Sequence, residues 1–100
     1  VDQANDPAVT EVRAQITATD ERLVALVNAR IELVAALHAH KREHGYDTFD
    51  PDRERLLLEH LEQVSDGPLS NEGLRKLYTT MIELCTAEAR RVNDTSREAE

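Results

Sequence analysis

The sequence predicts an all-α fold of three helices per chain, one very long, one short and one medium, paired with a second copy of itself as a homodimeric helical bundle. Three observations predict it. Only three glycines, three prolines and three aromatic residues occur among 100 residues, beside abundant Ala, Leu, Glu and Arg. That composition is poor in turn formers and strand formers and rich in helix formers. Hydrophobic residues make up 40% and charged ones 32%, which permits a core and argues against wholesale disorder. Finally, no helix breaker interrupts the chain between Pro7 and Gly45.

The first helix opens at Asn5-Asp6-Pro7, where a capping side chain precedes a proline whose missing N–H is harmless at the first helical position. Val9, Val12, Ile16, Leu23, Leu26, Val27, Leu33, Val34 and Leu37 then recur at the three-and-four spacing of an amphipathic helix. At 1.5 Å per residue the helix is a rod of about 55 Å, whereas a 100-residue globule is about 35 Å across. One chain cannot cover such a rod, so the exposed part of its stripe is expected to meet a second copy through a two-fold axis.

A second helix opens at Asp50-Pro51 and carries Leu56, Leu57, Leu58, Leu61 and Val64 before Gly67-Pro68 stops it. The third takes Ser70 as cap and has Leu74, Leu77, Tyr78, Met81, Ile82, Cys85, Ala89 and Val92 on its stripe. From Asn93 the chain turns polar. Residues 1–100 read as one domain with its core at about 9–92, and residues 1–6 and 93–100 are expected to fray.

A net charge of −8 repels polyphosphates, so nucleic acid is not an expected partner. The single cysteine excludes an intrachain disulfide and any multi-cysteine metal site, which suits a cytoplasmic protein. No uninterrupted apolar stretch approaches about 18 residues, so no membrane partner is expected. The acidic start, with Asp2 and Asp6, is unlike a secretory or transit peptide. His40-Lys41-Arg42-Glu43-His44 matches an H-x-x-E-H zinc pattern, but the sequence offers no third ligand or larger scaffold for it. No metal and no cofactor are therefore assigned.

Two cations interrupt the first stripe. Arg30 and Lys41 are eleven residues apart, which returns them to within about 20° of one direction, about 16 Å along the helix. Either a structural ion pair, with Asp52 or Glu54, or an anionic ligand would satisfy them. Arg13 lies on the flank of the same stripe, about 25 Å from Arg30, within reach of that site only from an antiparallel partner. Asp50, Arg53 and Glu54 sit at a helix N-terminus, where unpaired N–H groups suit an oxygen-rich ligand, although Asp50 equally suits a cap. Glu88 falls on or near the apolar face of the third helix.

The order Arg13, Arg30, Lys41, Asp50, Arg53, Glu54, carried by VRAQITATDERLVALVNARIELVAALHAHK and DPDRERLLLEHL, resembles the all-helical class of chorismate mutase over about residues 9–92. The resemblance implies an interlaced dimer with two sites, each taking one arginine from the other subunit. It implies an isomerase that converts chorismate to prephenate in aromatic amino acid biosynthesis. Arg30 and the partner-supplied Arg13 would hold the two substrate carboxylates, with Arg53 nearby; Glu54 and the Asp50 region would bind the ring hydroxyl, and Lys41 would donate to the ether oxygen. Alignment places Cys85 at a small polar position and Ala89 at the second donor position, which alanine cannot fill. Glu88, one residue away, is the expected substitute. Isochorismate pyruvate lyase on the same fold, a mutase acting on 4-amino-4-deoxychorismate, and a non-enzymatic helical dimer or regulatory partner are the competing readings. Feedback control would require another, activating protein, which the sequence does not identify.

Overall fold

The computed structural model describes residues 3–99, with side chains through Glu98. A short 3₁₀ turn, Gln3–Asn5, precedes three α-helices: α1 at Pro7–Glu43, α2 at Pro51–Val64 and α3 at Asn71–Ala99. No strand occurs among the described residues. All three expected helices are present.

The chain divides into two compact units, Val1–Arg30 and Ile31–Glu100, with the boundary inside α1 rather than in a linker. The first contains the 3₁₀ turn and the start of α1. Asp6 is the cap: its Oδ1 accepts the Ala8 N–H at 2.9 Å, its carbonyl accepts the Thr10 N–H at 3.0 Å, and Pro7 takes the first helical position. Beyond it the apolar stripe is largely uncovered, with Val12, Ile16, Leu23, Val24 and Leu26 all exposed.

The second unit contains the end of α1 with α2 and α3. Its sealed centre is made of small residues, Ala35, Cys85 and Ala89, with Leu74. Leu57, Leu58, Leu61, Tyr78, Met81 and Ile82 are half-buried around it. An ion pair between Glu62 and Arg75 joins α2 to α3. Asn93 Nδ2 donates to the Ala35 carbonyl at 3.1 Å, which joins α3 to α1.

The third helix runs on past Asn93, where the chain turns polar, to Ala99, and Asn93 itself is tied to α1 through the Ala35 carbonyl. Fraying of Val1, Asp2 and Glu100 lies outside the described residues. Averaged over 18 residues, α1 contains a window that would pass for a membrane span by length and composition alone, although no 18 residues of it are apolar without interruption. Polar residues interrupt the run without lowering its average enough.

Helix ends are set by local chemistry. At the end of α1, Gly45 adopts φ +68°, its N–H reaches the Arg42 carbonyl at 3.2 Å and the Tyr46 N–H reaches the Lys41 carbonyl at 2.8 Å. This is a Schellman closure, with glycine in the left-handed position that side-chain-bearing residues avoid. At the start of α3, Ser70 Oγ accepts the Gly73 N–H at 3.0 Å.

Candidate functional site

Two of the selected cations belong to the first unit. Arg13 is exposed on α1, and Arg30, the unit's last residue, is half-buried.

Lys41, Asp50, Arg53 and Glu54 belong to the second unit. Lys41 stands half-buried in the last turn of α1. Among the described residues no carboxylate lies within 4.0 Å of its ammonium, so the ion pair with Asp52 or Glu54 does not form at this end. Asp50 does act as a cap: its Oδ1 accepts the Arg53 N–H at 3.1 Å, and Pro51 begins the helix. Capping uses one carboxylate oxygen, and the same turn brings Glu54 one residue past Arg53. Arg53 is exposed and Glu54 half-buried.

The carboxylate-bearing turn of α2 faces α3 across an open groove of about 490 Å³. Glu54, Glu83, Thr86 and Arg90 supply polar groups, and Phe49, Leu58 and Ile82 supply apolar wall. An arginine presented beside two carboxylates over an apolar floor suits a small molecule that offers it an anionic group and offers the carboxylates hydroxyl groups.

The helix-three residues chosen from sequence are placed differently. Cys85 and Ala89 have no exposed surface at all, so both pack the core and neither presents an atom to the groove. Glu88 lies off the groove, where its Oε2 accepts two N–H groups of Arg91, from Nε at 3.0 Å and Nη2 at 2.7 Å. It is engaged as an acceptor, opposite to the donor role expected of it.

Arg90 and Thr86 escaped the sequence reading because alignment pointed to position 89. The detectable signal was spacing: Thr79, Ile82, Glu83, Thr86 and Arg90 share one face of a helix, and they line the groove. Arg90 also acts at the end of α1. The pKa of His38 is lowered by partial burial first, then by the charges of Lys41, Arg42 and Arg90. Three cations thus converge on one imidazole beside the last turns of α1.

The family model described as chorismate mutase type II matches residues 12–90. Among curated proteins, a bifunctional chorismate mutase/prephenate dehydratase of Pseudomonas aeruginosa is 28% identical over 89 residues, covering 84% of this chain and 24% of the relative. A protein of the same description from Stutzerimonas stutzeri is 28% identical over 82 residues, covering 76% of this chain and 22% of the relative. The chain therefore spans about a quarter of the length of these relatives.

Proposed function

We propose, from the premise that this chain belongs to the chorismate mutase type II family, that it is an isomerase converting chorismate to prephenate. The observation that carries this reading is the extent of the family match: residues 12–90 span the whole ordered set from Arg13 to Glu54 and reach Arg90 on α3. The single cysteine and the biosynthetic relatives favour a cytoplasmic setting.

The reaction is a unimolecular [3,3] rearrangement. One carbon–oxygen bond breaks as one carbon–carbon bond forms, and all the electrons stay within the substrate. The protein's work is to hold the compact diaxial conformer and to stabilise negative charge growing on the ether oxygen. Arg30, with Arg13 of a second copy, holds the two carboxylates through forked contacts that set orientation as well as charge, with Arg53 nearby. Lys41 donates to the ether oxygen, a role favoured by its ammonium having no carboxylate within 4.0 Å among the described residues. Glu54 and the capped Asp50 turn receive the ring hydroxyl. Because Glu88 already accepts from Arg91, we assign the second donor, on α3, to Arg90 instead.

The active unit on this reading is a homodimer. A second copy would cover the apolar side chains that α1 leaves exposed and bring Arg13 to the partner's site. The test is steady-state loss of chorismate with identification of the product. Prephenate is expected; release of pyruvate, or no turnover by the folded protein, would overturn the assignment.

A further inference from the structure

The end of α1 carries a second constellation, apart from the groove. His40, Glu43 and His44 each offer a ligand atom, and these three atoms lie within 4.8 Å of one another. All three residues are exposed. At about 100° per residue they occupy one arc of about 100° on the helix surface, with His40 between Glu43 and His44. Arg42 points to the opposite side.

We propose that His40, Glu43 and His44 form a surface binding site for a borderline divalent transition-metal ion such as Zn²⁺ or Ni²⁺. His44 Nδ1 lies 2.9 Å from the His40 carbonyl oxygen. A carbonyl can only accept, so Nδ1 carries the proton and Nε2 carries the lone pair in the neutral ring. This is the arrangement by which proteins orient a metal-binding imidazole and fix its tautomer. The ring is also held between neighbours, 4.2 Å from the His40 ring centroid and stacked on Tyr46 at 5.3 Å.

The backbone beneath is ordered by the same turn. The His44 N–H still reaches the His40 carbonyl at 3.3 Å, and the Gly45–Tyr46 closure follows directly. The site therefore stands at a helix C-terminus, where the helix dipole favours a cation. Metal–ligand bonds of about 2.0–2.1 Å place tetrahedral ligand atoms about 3.4 Å apart. Small rotations of three exposed side chains close that gap. Two imidazoles and one carboxylate select Zn²⁺, Ni²⁺ or Cu²⁺ over Mg²⁺ or Ca²⁺. Lys41 and Arg42 work against binding by charge, but neither shares the arc. The inference does not depend on the proposed reaction.

The test is calorimetric titration of the chelator-treated full chain with Ni²⁺ and then Zn²⁺ at neutral pH, with circular dichroism to verify the helical fold of every variant. One ion per chain is expected, together with a rise in the unfolding midpoint as the metal concentration rises. Removing a group that merely orients a ligand costs about 10–100-fold in affinity. Removing a ligand in His40→Ala, Glu43→Ala or His44→Ala should therefore cost about tenfold or more, while His60→Ala should bind as the parent does. Failure of the parent to bind, or unchanged affinity in any of the three ligand variants, would overturn the site.

Discussion

Arg90 shows how one residue's place on a helix alters a chemical assignment. It follows the sealed Ala89 and extends into the groove that Glu54 lines. If it contacts an anionic part of the substrate, Arg90→Ala should lower kcat/KM by about tenfold, the share of one charge-assisted hydrogen bond. The circular dichroism spectrum should not change, since the side chain is exposed. Glu88→Gln should leave turnover near the parent value, because its partner is Arg91 at the surface. Steady-state kinetics on the two variants checks both.

His38 gives the chain a defined acid response. Its folded pKa is below the ordinary histidine value through burial and the Lys41, Arg42 and Arg90 charges. Above about pH 6.5 the imidazole is neutral in both folded and unfolded chains, so it has no effect on stability. Below that value the unfolded chain takes up the proton first, and stability falls until the pH passes the lower folded pKa. Urea midpoints measured across this window should drop less steeply for His38→Gln than for the parent.

At the scale of elements, the ends of α1 and α2 rest on single side chains or single backbone conformations. Gly45 has open space where a Cβ would go but a φ of +68°. Gly45→Ala should therefore cost about 1–2 kcal/mol, from left-handed strain alone and not from a clash. Chemical denaturation measures this directly. Such ends were legible in the sequence because their causes are local: Asp6-Pro7, Asp50-Pro51, Ser70 and Gly45 each act within about four residues. The continuation of α3 past Asn93 was not legible. The residue at which the chain turns polar, Asn93, is anchored by a hydrogen bond to Ala35, 58 positions away along the chain. The same limit hid Arg90, whose neighbours on α1 and α2 are brought close only by folding. The order of charged residues from Arg13 to Glu54 could be read in advance because it lies within two adjoining helices of regular period.

For the molecule as a whole, the informative quantity is apolar surface left uncovered. In the first unit Leu26 is 64% exposed, and in the second Leu33 is 72% and Phe49 70% exposed. Exposed leucines at helical spacing are costly in water at about 25 cal/mol per Å², so a second copy should associate tightly. Sedimentation at micromolar concentration should find a dimer, and a folded monomer would contradict it. If each site draws Arg13 from one chain and Arg30 from the other, inactive Arg13→Ala and Arg30→Ala chains should regain some activity after subunit exchange. In such a mixed dimer one site receives both native arginines.

Cys85, the one thiol, has no exposed surface, and this has a consequence for the protein's lifetime under oxidants. A thiolate reacts only where a reagent can meet it. Oxidation or alkylation must therefore wait for the helices around Cys85 to part, and the rate of modification becomes a clock for that opening. Loss of the thiol by this route would mark chains that had already opened, and their intact neighbours would keep a reduced sulfur for as long as they stayed folded.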